Sequence, residues 1–213
     1  MQASTRPGSS TGAGPEHSDE TDGPSPRDRL IQGMASALAS KGYAATTIAD
    51  IVRLARVSKR TFYEHFADKE ACFLACYGAM SEIALFTLEQ EATTDAPWRE
   101  RIRRATKAYL SVLESQPGLT RALLMEIQAA GPGGLKMRRE VMQRFADTLQ
   151  NLVERGRKHE PAVRRLSPSM ATAIVGGVHE LTLLAVEEGR ADRLTELADT
   201  ATELVEAVLT AGR

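Results

Sequence analysis

Apolar residues recur along this chain at the three- and four-residue spacing of an amphipathic helix, and no segment alternates as a β-strand does. The first such segment has Ser25 as a potential N-cap, Pro26 as its first helical residue and Gly42 as a C-terminal stop. Its predicted buried stripe consists of Leu30, Ile31, Met34 and Leu38. The pattern therefore predicts a helix over residues 26–41.

Two short helices joined by a tight turn are predicted next. Thr47 and Asp50 have the spacing of a capping box at the start of the first helix. Its apolar stripe consists of Ile48, Ile51, Val52 and Ala55. Ser58 is the expected N-cap of the second helix, in which Phe62 and Phe66 lie one turn apart and point to the core. The side chains left outside are Lys59, Arg60, Thr61, Tyr63 and Glu64.

That outer face suits a DNA groove. Lys and Arg donate hydrogen bonds to guanine or to phosphate, and Thr and Tyr hydroxyls also reach phosphate. The two helices and their turn therefore indicate a helix-turn-helix that binds double-stranded DNA.

Residues 46–70, with the sequence TTIADIVRLARVSKRTFYEHFADKE, resemble the N-terminal DNA-binding segment of the TetR family of transcriptional regulators. The resemblance extends over about residues 27–80, and beyond them only the length and the helical pattern are similar. It implies that Thr47 and Tyr63 contact phosphate, while the basic residues address base edges or nearby phosphates. The DNA-contacting set predicted in this way is Thr47, Ser58, Lys59, Arg60, Thr61, Tyr63, His65 and Lys69.

Several of these residues have a structural alternative. The basic side chains could simply solvate a helix face, and Tyr63 or His65 could pack against a neighbouring helix. Arg56 lies in the turn, where the family often has Gly. An Arg there either has an ordinary negative φ or tolerates a backbone strain of about 1 kcal/mol. Its side chain can add a phosphate contact.

The rest of the chain is predicted to be helical as well. Asp68 is a good N-cap for the helix that leaves the helix-turn-helix, and turn residues predict breaks near 93–97, 116–118 and 131–134. Further helices are expected near 97–115, 119–130, 135–158, 168–188 and 192–210. The resemblance implies an all-α fold of about nine helices. Its expected parts are a disordered tail (1–25), a three-helix DNA-binding domain with the helix-turn-helix (26–70), and a helical effector-binding and dimerisation domain (71–213).

The last two predicted helices are apolar over much of their circumference, and Gly176-Gly177 permits close approach between helices. Pairing with the same helices of a second copy would give a four-helix interface, and a homodimer can place two recognition helices about 34 Å apart. The predicted interface residues are Val178, Leu181, Ala185, Leu197, Leu204 and Val208. The alternative is that these stripes form the core of one chain.

The middle of the chain offers candidates for an adaptable apolar pocket, because Met side chains fit irregular ligands. The predicted ligand-binding residues are Met125, Met142, Phe145 and His179. Trp98 and Tyr109 are further possible walls. His179 could supply the polar contact of a largely apolar small-molecule effector, or it could be satisfied within the protein. Met at helical spacing fits an ordinary core equally well.

The charge of the chain is unevenly distributed. Residues 27–70 carry eight basic and five acidic side chains, a net charge of +3, whereas the whole chain has a net charge of −1. The N-terminal residues lack the features of a signal peptide, and no run of about 18 apolar residues is found. We therefore expect no membrane span and a cytoplasmic protein. Cys72 and Cys76 share one predicted helix face without a cationic neighbour, which favours packing over a redox role.

The sequence contains no motif typical of an enzyme. A metalloprotease His-Glu-x-x-His, a phosphate-binding loop and a nucleophile elbow are all missing, and we expect neither a metal site nor a cofactor. The predicted function is a TetR-like transcriptional regulator, in particular a repressor that a small-molecule effector releases from a palindromic operator. The alternative is a protein-interaction adaptor that keeps the helix-turn-helix as a scaffold. Loss of the side chains that address DNA would favour it, and all four that decide this are present: Lys59, Arg60, Tyr63 and Lys69.

Overall fold

The computed structural model describes residues 23–92, 96–161 and 163–210, and within them the only regular elements are helices. The α-helices are α1 (Pro26–Ala45), α2 (Ile48–Ala55), α3 (Lys59–His65), α4 (Lys69–Ala92), α5 (Trp98–Glu114), α6 (Pro117–Glu126), α7 (Gly131–Arg157), α8 (Pro168–Glu187) and α9 (Ala198–Thr210). Short 3-10 helices cover Ile127–Ala130 and Leu194–Leu197. The all-α prediction with about nine helices is confirmed. The predicted tail falls mostly on residues 1–22, outside the described ranges.

Several predicted helix boundaries are wrong. α1 continues to Ala45 past a non-helical Gly42, and the helix expected over 119–130 is α6 followed by the 3-10 helix Ile127–Ala130. Residues 131–134, expected to form a loop, are the first turn of α7. Proline is tolerated in a first turn, where its missing N–H has no partner to lose. A Cβ at Gly134 would lie only 2.0 Å from the Ile127 carbonyl oxygen, so glycine allows α7 to begin directly after the preceding turn. The last helix was expected from residue 192, but α9 begins at Ala198 after the 3-10 turn.

The largest apolar core joins the helix-turn-helix to the rest of the molecule. Leu30 of α1, Ile51 of α2 and Phe62 of α3 are fully buried, and they belong to one cluster with Phe73 of α4 and Leu119 of α6. Two smaller clusters lie among α5, α7, α8 and α9. Because the first cluster crosses the predicted domain boundary at residue 70, helices α1 to α3 pack together with α4 and α6 as one body.

Two glycines let neighbouring helices approach α1 closely. A Cβ at Gly33 would lie 2.7 Å from the Ile51 carbonyl oxygen of α2. A Cβ at Gly118 would lie 2.7 Å from the Ala39 carbonyl oxygen of α1. The close packing of α1 against α2 and of α6 against α1 therefore depends on glycine at both positions.

Two helices, Lys69–Ala92 and Pro168–Glu187, are long and apolar enough to span a membrane by length and composition alone. Neither helix is an unbroken apolar run, since α4 contains Glu82 and Glu89 and α8 contains Glu180. Both helices contribute to the apolar clusters of the bundle. The core helices of folded proteins commonly have this composition, which makes the signal weak.

Cys72 and Cys76 lie in α4 with their side chains fully buried. Burial raises the pKa of both thiols to about 12. A thiol that is both buried and protonated is a poor nucleophile, so these positions favour the packing role.

Candidate DNA interface and effector cavity

The helix-turn-helix begins with the capping arrangement that its sequence predicts. The Thr47 hydroxyl accepts a hydrogen bond from the Asp50 N–H at 3.2 Å, and the Asp50 carboxylate accepts one from the Thr47 N–H at 3.0 Å. Lys41 of α1 donates to the same carboxylate at 2.6 Å. These hydrogen bonds, led by that of Lys41, hold the pKa of Asp50 well below its usual range. Thr47 and the start of α2 are thereby fixed relative to α1.

The turn between α2 and α3 is strained at Arg56. Its φ of 54° and ψ of 44° lie in the left-handed region, and no other non-glycine residue of the described chain has a positive φ. Of the two possibilities that the sequence left open, the structure adopts the strained one. The Arg56 N–H closes the end of α2 on carbonyl oxygens of Val52 and Arg53, and its side chain is exposed. A basic group is therefore presented next to the start of α3.

Ser58 caps α3. Its hydroxyl oxygen accepts a hydrogen bond from the Thr61 N–H at 3.0 Å and lies 2.8 Å from the Thr61 hydroxyl. Phe62 and Phe66 point inward, with exposed fractions of 0% and 6%. Because these rings anchor one side of the helix, its other side faces outward.

The outward side of α3 carries the groups that can address DNA. Lys59, Arg60, Tyr63 and His65 are all exposed, and more than half of the Tyr63 surface is accessible. Arg60 pairs with Glu64 one turn later at 3.1 Å, a surface contact worth little that a phosphate or base can replace. The structure thus brings the predicted α3 residues together on one open surface.

Lys69, also predicted to contact DNA, is engaged inside the protein. Its ammonium donates to the carbonyl oxygens of Tyr43 and Thr46, both at 3.0 Å, and lies 4.3 Å from the centre of the Tyr43 ring. These contacts bind the first turn of α4 to residues 43–47, which follow the non-helical Gly42 near the end of α1 and which we call the segment before α2. A phosphate contact would have to use the remaining ammonium proton.

The same segment is held from its other side by α6. The Glu126 carboxylate accepts hydrogen bonds from the N–H groups of Tyr43 at 2.7 Å and Ala44 at 3.4 Å. Gly42, with φ of 74°, makes room for it, because a Cβ there would lie 2.7 Å from a carboxylate oxygen. No local sequence pattern predicts this contact, because Glu126 is 83 positions away from Tyr43.

Three adjoining cavities lie inside the C-terminal bundle, with volumes of about 90, 80 and 50 Å³. We name them the Trp98, Val178 and Tyr77 cavities after a lining residue that each has to itself. The Trp98 and Val178 cavities share Leu88, Thr106, Leu149 and Val205. The Val178 and Tyr77 cavities share Tyr109, Met142, Phe145 and His179. Each neighbouring pair shares four lining residues, so the three cavities adjoin one another, and together we call them the apolar path.

Few polar groups line this path. His179 is 5% exposed, and its Nδ1 has no hydrogen-bond partner within the described ranges. Burial, and then the nearby positive charge of Arg138, lower the pKa of His179, so its imidazole is neutral near pH 7. Burial likewise raises the pKa of Tyr77 and Tyr109. At the other end of the path, Arg101 lines the Trp98 cavity, and none of the three is lined by an acidic residue.

The predicted ligand residues are not all in this region. Met142, Phe145 and His179 line it together, whereas Met125 is 39% exposed on α6 and lines none of the three cavities. Arg101 was missed in the sequence, because one Arg among several on an amphipathic helix carries no distinguishing signal.

The predicted dimer residues also divide. Ala185 is fully buried in a core cluster of its own chain, and Val178 lines a cavity. Leu197 and Val208 are partly buried against clusters of the same chain. Only Leu181 and Leu204 remain partly open outside the clusters, so the predicted stripe mixed core and surface positions.

The described part of the chain thus combines a helix-turn-helix, whose α3 has an exposed outer side, with a helical bundle that contains internal cavities. Residues 30–76 match the family model described as bacterial regulatory proteins, tetR family. The regulator TcmR of Streptomyces glaucescens is 30% identical over 112 residues, which are 50% of this chain and 49% of TcmR. Over residues 30–76, the chain therefore contains the N-terminal segment that characterises the TetR family.

Solved structures support this fold over nearly the whole chain. The fatty acid degradation regulator FadR of Bacillus halodurans aligns with a TM-score of 0.74 at 18% identity, covering 91% of this chain and 98% of FadR. FadR of Bacillus subtilis, solved in complex with stearoyl-CoA, aligns with a TM-score of 0.71 at 18% identity, covering 87% and 98%. The chain spans about half the length, or less, of the curated relatives that it matches.

Proposed function

We propose that this protein is a homodimeric transcriptional regulator that binds a palindromic operator and is released from it by a small-molecule effector, acting as a repressor. The observation that carries the proposal is the outward side of α3. Lys59, Arg60 and Tyr63 are exposed there, while Phe62 of the same helix is buried in the core. The match of residues 30–76 to the family model supports it independently.

In this proposal residues 26–70 bind DNA. Lys59, Arg60 and Thr61 address base edges or adjacent phosphates, while Thr47 and Tyr63 contact the backbone. Ser58 and His65 lie at the two ends of α3, where they can add phosphate contacts. Lys69 acts chiefly as a tie between α4 and the segment before α2, with one donor left for phosphate.

Residues 71–213 form the effector-binding and dimerisation part of the proposal. The open faces of α8 and α9, with Leu181, Leu184 and Leu204, are the surface that a second copy would cover. Gly176 has no atom of its own chain within 4 Å of an added Cβ, which leaves space for the partner helix. As a DNA-binding regulator without an enzymatic step, the protein would act in the cytoplasm.

The cavities are the proposed effector site. FadR of Bacillus subtilis, which shares the fold, was solved in complex with stearoyl-CoA, so this architecture can accommodate a ligand with a long apolar chain. Met142 and Phe145 separate two of the cavities, and a flexible Met can move to join them.

The route from effector to DNA would run through α6. Ligand in the cavities displaces α6, and its Glu126 shifts the segment before α2 together with the helix-turn-helix of α2 and α3, which we call the reading head. The effector must bind more tightly to the state in which the two reading heads of the dimer are displaced. A 100-fold loss of operator affinity needs a coupling free energy of about 2.7 kcal/mol.

The test is a salt-dependent binding titration of the purified protein against the intergenic DNA beside its own gene, with random duplex as the control. We expect the wild type to bind the intergenic DNA much more tightly than the random duplex. Lys59→Ala and Arg60→Ala should each weaken binding to the intergenic DNA by about 1 to 3 kcal/mol. Arg155→Ala, an exposed substitution at the far end of α7, is the matched control. Equal and weak binding to both duplexes by a folded dimer would favour the adaptor alternative.

A further inference from the structure

The effector path contains a buried polar atom that lacks a partner. Nδ1 of His179 is buried between the Val178 and Tyr77 cavities and makes no hydrogen bond within the residues that the structure describes. Native proteins leave few such atoms unpaired, because the loss of hydration is then uncompensated. A ligand group in the path can supply the missing hydrogen bond.

The surroundings of His179 select an uncharged group. Tyr109 lines the same two cavities, and its hydroxyl makes no hydrogen bond within the described part of the chain. Its ring is fixed edge-on against Phe145 at 5.4 Å. A neutral imidazole and a neutral phenol in an apolar cavity recognise a hydroxyl or carbonyl group. Arg138 is near enough to affect His179 but lines none of the three cavities, so a charged ligand group there would lack a counter-charge on the cavity wall.

The opposite end of the path selects a negative charge. Arg101 lines the Trp98 cavity, and its guanidinium has no ion-pair or hydrogen-bond partner in the described ranges. Gly156 of α7 leaves space for it, since a Cβ there would lie 3.3 Å from a terminal nitrogen of Arg101. An unpaired, partly buried guanidinium among apolar walls is suited to a carboxylate.

The two ends are separated by a defined length. Arg101 and Tyr109 lie on the same helix, and eight residues at 1.5 Å each place them about 12 Å apart along its axis. Between them the path is lined by apolar side chains such as Leu88, Leu149 and Val205.

We propose that the effector is an elongated apolar monoanion whose carboxylate binds Arg101 and whose far end carries a hydroxyl or carbonyl group that hydrogen-bonds to His179 and Tyr109. This inference rests on the proposed effector-controlled function, to which it adds the chemical class of the effector.

Three probes of matched length test the class by calorimetry on the full chain. They are decanoate with a hydroxyl on its terminal carbon, decanoate itself, and decanediol with a hydroxyl at each end. We expect the hydroxydecanoate to bind about threefold to tenfold more tightly than decanoate, and at least about tenfold more tightly than decanediol. Equal affinities within either pair would overturn the corresponding end of the assignment, and failure of all three to bind would overturn the class.

Variants connect each preference to its residue. Arg101→Leu should abolish the preference for hydroxydecanoate over decanediol, and Arg104→Leu, an exposed position on the same helix, should retain it. Tyr109→Phe removes only a hydroxyl and should reduce the preference for hydroxydecanoate over decanoate about threefold, as should His179→Leu. If the hydroxyl preference persists in both variants while they remain folded, these residues do not form the subsite.

The operator titration separates this inference from the proposed function. Specific DNA binding without binding of any probe would leave the regulator intact and overturn the effector class. Probe binding with the predicted preferences, but without specific DNA binding, would support the ligand site and contradict the regulator.

Discussion

Arg56 concentrates the conformational strain of the reading head in one residue. Its left-handed backbone, with φ of 54°, costs an L-residue about 1 kcal/mol that glycine does not pay. We expect the exposed guanidinium of Arg56 to contact a DNA phosphate, because such a contact would offset the backbone strain when the protein binds. Stability and binding then make opposite demands on the same residue.

Replacing Arg56 with Gly should therefore raise the free energy of unfolding by about 1 kcal/mol and weaken operator binding at the same time. Loss of one phosphate contact should also reduce the salt slope of binding by about one unit. Urea denaturation and salt-dependent titration measure the two effects. Arg56→Ala, which loses the charge but keeps a Cβ, should weaken binding without the gain in stability; an unchanged salt slope in both variants would rule out the phosphate contact.

His179 should make stability dependent on pH. Its pKa is lowered in the folded protein, chiefly by burial, from about 6.5 in the unfolded chain. The unfolded chain therefore binds more protons below that pH, so the free energy of unfolding falls as the pH is lowered through 6.5 and stops falling below the folded pKa.

We expect His179→Gln to remove this component of the decline. Urea midpoints measured between about pH 7.5 and about pH 5.5 compare the variant with the wild type. The matched control is His159→Gln at an exposed position, which should leave the decline unchanged. Parallel curves for wild type and His179→Gln would mean that the imidazole is not kept neutral by the fold.

At the scale of elements, α6 and α4 each touch both the reading head and the cavities, and α6 does so through its two ends. Glu126 at its C-terminal end binds two N–H groups of the segment before α2, while Thr120 and Leu123 line the Tyr77 cavity. Gly118 near its start holds it against α1. A ligand that displaces this helix would therefore move the reading head directly.

Replacing Glu126 with Ala should leave two N–H groups without their acceptor and lower the free energy of unfolding by about 1 to 3 kcal/mol. More specifically, the effector should release the variant from its operator less completely than it releases the wild type. Glu126→Gln keeps one acceptor oxygen, so its operator release should be intermediate between those of Glu126→Ala and the wild type. Titration of operator release against effector, at equal folded fractions, measures the difference; an unaltered response in Glu126→Ala would place the coupling elsewhere.

At the scale of the whole molecule, assembly depends on the open faces of α8 and α9. The stripe on these helices is shared between the internal core and the surface, since Ala185 is buried while Leu184 is 44% exposed. A dimer that buries Leu181, Leu184 and Leu204 would cover apolar surface that one chain cannot.

Leu181→Asp combined with Leu204→Asp should produce monomers, because two buried charges per chain would meet across a symmetric interface. Sedimentation measures the association state, and the monomer should bind its operator weakly. Met170→Asp, on an exposed residue near the start of α8, tests how far the interface extends. A double variant that remains a dimer would move the interface to another face.

Sequence alone determined the reading head and the class of fold. The caps at Ser25, Thr47 and Ser58 and the apolar spacing of α2 and α3 are interactions within a few residues, so the local pattern contains them. The family resemblance of residues 46–70 rests on the same local features.

Only the tertiary structure decided how the helices use their apolar faces. Periodicity shows that a face is buried, but it does not identify the surface that covers it, and for that reason Val178 and Ala185 could be assigned to a dimer interface. The hydrogen bonds of Lys69 and Glu126 to the segment before α2 join residues far apart in sequence, as does the placement of Arg101 and His179 at the two ends of one path. Such contacts arise from the packing of whole helices, which no local pattern encodes.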